Sequence, residues 1–219
     1  MTRVYLVRHG EARGNVDRNF HGFYDSDITE NGYRQLALLG EAFKNIEIDT
    51  VYSSDLKRTC ETARAIAEPK NLEIKKVYGL REINGGEWED VPWDDLPVKF
   101  SESYEKWLNT PHLLKMPGGE SMEEFAARVY DAVCKIIKEN KDKKIAIVTH
   151  GTAIRVLMCL FKGYRLERLN DVRWCDNTAI SIIDINDDNH VVIVSEGDNS
   201  HLGEYGTVSK QKWWQDTYL

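Results

Sequence analysis

The sequence predicts an α/β protein: a three-layer α/β/α sandwich with a mainly parallel central sheet and an inserted flap over about residues 84–120. Three observations carry this expectation. Short apolar runs rich in branched residues alternate with amphipathic stretches of 11–18 residues, the pattern of strands joined by crossover helices. Gly85–Gly86, Pro92, Pro97, Pro111 and Pro117–Gly118–Gly119 interrupt that alternation and cut one stretch into short pieces. The chain has 219 residues, 42% of them hydrophobic and 10% aromatic, which is enough to build a core without staples. One domain spanning 1–219 is therefore expected.

Val4–Tyr5–Leu6–Val7 reads as a buried strand that ends in a loop beginning Arg8–His9–Gly10. Thr29 to Lys44 places Leu36, Leu39, Ala42 and Phe43 on one helix face. Thr50 to Tyr52 is a second strand, ended by Ser53–Ser54, and Leu56 to Glu68 a helix closed by Pro69. Ile74 to Val77 reads as a strand. Within the flap, short helices are expected around Trp93 and over Tyr104–Trp107. Ser121, with Glu124 three residues on, is a capping box, and Phe125, Val129, Val133, Ile136 and Ile137 continue from it as one stripe to about Glu139. Lys144 to Thr149 is a strand and Gly151 to Phe161 an apolar helix. Ala179 to Ile185 and Val191 to Val194 are two strands joined by an Asn/Asp-rich turn. The chain after Asn199 is polar, with an aromatic patch at Trp213–Trp214 and Tyr218 that suits packing or contact in a homodimer.

Charge and composition narrow the function. Lys+Arg number 29 and Asp+Glu 36, a net charge of −7, which speaks against a protein that coats nucleic acid while leaving room for a local cationic pocket. The opening apolar run of four residues is too short for a secretion signal, and no run is long enough to cross a membrane. Cys60, Cys134, Cys159 and Cys175 form no CxxC pair and read as separate thiols, so a reducing, cytoplasmic setting is expected. No phosphate loop or HExxH helix is present, and neither metal nor cofactor is expected.

In sheets of this kind ligands bind beyond the carboxyl ends of the strands. Five polar residues fall there: Arg8 and His9 after the first strand, Arg58 after the second, Glu82 after the third, and His150 after the fourth. Each alone has an ordinary explanation. Arg58, for example, has Asp55 and Glu61 three residues away on the same helix face. Together they make a phosphoryl-transfer set. Arginines offer forked donors to phosphoryl oxygens, and neutral imidazole is a nucleophile toward phosphorus. A carboxylic acid can protonate a leaving alkoxide, and a second histidine can donate to developing charge.

The residues that carry these groups resemble the histidine phosphatase superfamily, with its phosphoglycerate mutase-like fold. The resembling segments are LVRHGE at Leu6–Glu11 with Asn15, YSSDLKRTCETA at Tyr52–Ala63, LREINGGEWED at Leu80–Asp90, PGGES at Pro117–Ser121, and VTHG at Val148–Gly151, in family order. The resemblance implies that His9 becomes a phosphohistidine and that Arg8, Arg58, His150 and Asn15 bind the phosphate. It implies that Glu82 is the proton donor and later the base for water. Three positions depart from the family pattern: Ala12 where Thr is usual, Asp90 where Gly is frequent, and Cys60 where a small aliphatic residue is usual. His21 stands where Gln is common, placed either to touch the leaving group or to cap its loop.

The resemblance leaves three activities to weigh. A phosphatase acting on a small phosphorylated metabolite is favoured. Ile83–Asp90 holds no Lys or Arg, and Val91–Pro111 only Lys99 and Lys106, where mutases carry extra basic residues. A cofactor-dependent phosphoglycerate mutase is the first alternative and a non-catalytic phosphate-binding protein the second. Trp88 and Trp93 are candidates either to rest against an organic leaving group or to fill core.

Overall fold

A computed structural model describes residues 1–188 and 190–207. In chain order the regular elements are β1 (Thr2–Arg8), α1 (Arg13–Asp17), α2 (Glu30–Phe43), β2 (Thr50–Ser53), α3 (Lys57–Ala67), β3 (Ile74–Lys76), α4 (Leu96–Lys99) and α5 (Ser101–Asn109). They are followed by α6 (Met122–Glu139), β4 (Lys144–Thr149), α7 (Gly151–Phe161), β5 (Ile180–Ile185) and β6 (Val191–Asp198). The six strands form one sheet in the order β3-β2-β4-β1-β5-β6. The β3–β2, β2–β4 and β4–β1 pairs are parallel, whereas β5 runs antiparallel to β1 and to β6.

Side-chain alternation along each strand divides the interior in two. Val4, Leu6, Ile145 and Ile147 face one way and pack with α6, α7 and the flap residues Leu96, Leu114 and Met116. Tyr5, Val7, Ala146 and Val148 face the other way and pack with Leu39 and Phe43 of α2 and Ala63 and Ile66 of α3. That is the expected sandwich. Helix α6 starts as its sequence requires: the Ser121 hydroxyl accepts from the Glu124 N–H at 3.1 Å, and the Glu124 carboxylate accepts from the Ser121 N–H at 2.7 Å. No helix among the described residues is long and apolar enough to cross a membrane.

The structure differs from the sequence reading in several places. β6 continues to Asp198, four residues past Val194, because the hairpin keeps pairing with β5 across a register shift. The short helix α1 has no apolar period to announce it. The Asn15 side chain accepts from the Ala12 N–H at 3.0 Å and closes its first turn. Trp93 lies in a turn beside the Asn19–Pro92 bridge instead of in a helix, since its N–H is taken by the Arg18 carbonyl at 2.8 Å. Trp88 is fully buried core. The aromatic patch at Trp213–Trp214 and Tyr218 lies outside the described residues.

Candidate active site

The register of β1 on β4 creates the site. Arg8 pairs with Thr149 at the carboxyl ends of these neighbouring parallel strands, so the next residue of each is a histidine. The His9 and His150 rings meet edge to face, 5.3 Å between centroids. β2 lies on the other side of β4, which brings the start of α3 and Arg58 to the same edge. Arg8, His9, Arg58 and Glu82 line one cleft of about 80 Å³ with Asn15 and His21. His150 lies buried beside it.

Each side chain is held in a defined state. His9 Nδ1–H donates to the Gly10 carbonyl at 2.7 Å, which leaves the Nε2 lone pair free of that bond. Burial, with Arg58 and Arg8 nearby, holds His9 well below the usual imidazole range. His150 is depressed in the same way, by burial first and then by Arg58. Both its ring nitrogens are buried without a hydrogen-bond partner, the state of a group built to meet a ligand. Arg58 is buried and its Nη atoms donate to the carbonyls of Tyr24 and Gly22, both at 2.7 Å. Burial lowers it to about 10, so it stays cationic at neutral pH. The Arg58 ion pairs considered from the sequence do not form: Asp55 binds Arg81 at 2.6 Å, and Glu61 binds Arg64. Arg8 Nη1 donates to the Cys175 carbonyl at 2.6 Å.

Glu82 sits against the first turn of α7. Its carboxylate oxygens accept from the Thr152 and Ile83 N–H groups, each at 2.9 Å. Burial nevertheless raises its pKa, which favours a held proton. Asn15 joins the cleft from α1, close to Asn177 Nδ2 at 3.4 Å. His21 is bonded at both ends, Nδ1 to the Ser26 hydroxyl and Nε2 to Asp90 Oδ1, each 3.0 Å. It lies so close to the chain that a methyl group on Gly14 would stand 2.1 Å from its Nδ1. The two glycines after the histidines differ: one on Gly10 would strike Leu36 of α2, a packing demand, whereas Gly151 lies against Arg8 and Trp174.

Sequence reasoning missed four residues at the cleft, two that brace it and two that line it. Glu89 accepts from the N–H groups of Gly22, Phe23, Tyr24 and Gly85, at 2.7–3.1 Å. It thereby ties down the loop whose carbonyls hold Arg58. Arg128 donates to the carbonyls of Gly79, Arg81 and Glu82 and so braces the Glu82 segment. Trp107 and Trp174 line the cleft. Glu89 falls in the LREINGGEWED segment that carries the resemblance; for Arg128 and Trp174 the sequence held no signal.

Comparison with known proteins supplies the family. The family model described as histidine phosphatase superfamily (branch 1) matches residues 4–198. A phosphoserine phosphatase 1 of Hydrogenobacter thermophilus is 32% identical over 208 residues, 94% of this chain and 96% of that protein. A probable phosphoglycerate mutase of Yersinia pestis is 34% identical over 206 residues, 92% of this chain and 95% of that protein. The solved structure of Bacillus stearothermophilus YhfR superposes with a TM-score of 0.88 at 31% identity, covering 92% of this chain and all of that one. The alpha-ribazole phosphatase of Shigella flexneri gives 0.82 at 26%, covering 90% of this chain and 96% of that one. With the family model matching residues 4–198 and curated relatives above 30% identity over nearly its whole length, this chain belongs to the histidine phosphatase superfamily.

Proposed function

We propose that this protein hydrolyses a small phosphate monoester through a phosphohistidine on His9. The observation that carries this reading is a neutral nucleophile beside an unsatisfied second imidazole. His9 has its Nδ1 proton fixed by Gly10, and His150 stands edge-on to it with both nitrogens unpartnered. Arg8 and Arg58 line the same cleft and supply fixed positive charge to the phosphoryl oxygens, with Asn15 beside them.

In the first step the His9 Nε2 lone pair forms the N–P bond while the ester P–O bond breaks. Glu82 gives its proton to the departing alkoxide. In the second step water attacks phosphorus, and the Glu82 carboxylate takes the water's proton. The P–N bond breaks, its electron pair returns to Nε2, and inorganic phosphate leaves. The two arginines provide the neutralisation and neutral His150 can donate a hydrogen bond to a phosphoryl oxygen, so neither step calls on a metal. The four free cysteines fit a reducing, cytoplasmic setting.

A mutase is the second reading, since a relative bears that name. It shares the first step and differs in the acceptor. The basic residues near the flap are occupied: Lys99 binds Asp95 and Lys106 binds Glu102. That favours water over a second phosphorylated acid. The test is rapid quenching with a radiolabelled monoester. An acid-labile, base-stable label on His9 and release of inorganic phosphate are expected. His9→Ala should abolish the label and cut turnover on the order of 10³-fold or more. Turnover surviving in that variant refutes the phosphohistidine. Interconversion of 3- and 2-phosphoglycerate faster than phosphate release selects the mutase.

A further inference from the structure

The chemistry at phosphorus leaves one wall of the cleft unused. Phe20, Trp93, Trp107 and Trp174 line it. Phe20 follows α1, Trp93 precedes α4, Trp107 lies in α5 and Trp174 follows α7. The four rings touch in sequence. Trp174 lies 6.3 Å from Trp107, Trp107 lies 5.7 Å from Trp93, and Phe20 lies 5.5 Å and 5.8 Å from Trp93 and Trp107.

The wall begins at the phosphate. A methyl group built on Gly151 would stand 3.2 Å from the Trp174 ring and 3.3 Å from Arg8 Nε, so indole and guanidinium flank one glycine. Arg155 is buried, donates to the carbonyls of Val172 and Leu169 at 3.0 Å, and lies 4.2 Å over the Trp174 ring. That stack fixes the indole. Trp88 is fully covered core. The three tryptophans of the wall instead remain partly exposed, and they open on the cleft.

We propose that this wall is the leaving-group subsite and that the substrate class is a phosphate monoester whose alcohol carries a planar aromatic group. The inference rests on the phosphatase reading. A planar ring gains stacking and buried area against indoles. A carboxylate in the same place loses hydration against apolar faces, and among the described lining residues the only Lys or Arg side chains are Arg8 and Arg58 at the phosphate end. Phosphoserine and phosphoglycerate are therefore the poorer fit, although relatives bear names that refer to them.

The test compares 2-phenylethyl phosphate with n-propyl phosphate. Their alkoxides leave with similar basicity, so a difference reports the subsite and not the bond broken. For the unaltered protein, kcat/KM for the phenylethyl ester should exceed that for the propyl ester on the order of tenfold, and should exceed that for phosphoserine. In Trp107→Leu and in Trp174→Leu the phenylethyl-to-propyl ratio should fall toward one. Equal kcat/KM for the two esters overturns the inference and leaves the phosphatase reading standing. So does a ratio unchanged in both variants, or a preference for phosphoserine. No turnover of either ester and no label on His9 overturns both. Trp107 also packs on Phe20, so the unaltered ratio and the Trp174 variant decide the question if Trp107→Leu fails to fold.

Discussion

In the proposed mechanism two groups, His9 and Glu82, divide the proton work of the site. Burial pushes the His9 imidazole down and the Glu82 carboxyl up. The active form of the free enzyme needs neutral His9 and protonated Glu82. Activity then rises as pH climbs through the depressed His9 value and falls as pH climbs through the raised Glu82 value, giving a bell for kcat/KM. Glu82→Gln should remove the alkaline limb and lower kcat/KM for alkyl esters by about 10²–10⁴-fold. A p-nitrophenyl ester, whose leaving group needs no proton, should suffer far less. An equal loss for both esters, with the alkaline limb intact, would remove Glu82 from the acid role. These residues were legible because their types fall at successive strand ends. Their partners were not: Arg58 lies within three positions of two acids in sequence, yet the fold gives it the carbonyls of a loop more than thirty positions away.

At the scale of the element, the segment 21–24 turns a sequence feature into a fixed arginine. Glu89 binds its N–H groups, and its carbonyls bind Arg58. The same carboxylate favours the charged guanidinium of Arg58. In Glu89→Gln one oxygen acceptor is replaced by an amide donor facing backbone N–H groups. KM for a monoester and Ki for inorganic phosphate should rise about tenfold or more as Arg58 loses its setting. In an Arg58→Ala background the same change should add little to Ki. An additive effect would make Glu89 a support of folding alone, and thermal melts of both variants separate that case. The strands and long helices were read closely because period and caps define them locally, as at Ser121 and Glu124. α1 and the turn at Trp93 were not, because bonds from other segments set them.

For the whole molecule, the cost of the site shows in stability. His9 and His150 are held neutral and depressed in the fold, while in the unfolded chain they take up protons near pH 6.5. Below that pH the unfolded chain binds more protons, so stability is full above about pH 7 and declines as pH falls. Each histidine contributes a slope that grows from about 0.7 kcal/mol per pH unit at about pH 6.5 toward about 1.4 well below it. Glu82, with its raised value, acts in the opposite sense over the range between its unfolded and folded values. Urea unfolding in phosphate-free buffer from pH 5.5 to 6.5 should therefore show a shallower pH dependence for His150→Gln, by about one proton's slope. Equal slopes would mean that His150 is not held neutral.

By itself the sequence determined the layered class, the order of the main strands and helices, and the residues proposed to handle phosphate. These rest on local periodicity, caps and residue chemistry, which each segment carries within itself. Only the tertiary structure decided what surrounds them: the β1–β4 register that sets two imidazoles edge to face, the carbonyls that hold Arg58, and the wall from Phe20 to Trp174. Those contacts join segments far apart in the chain. No local pattern encodes them, and they exist only once both layers of helices have closed on the sheet.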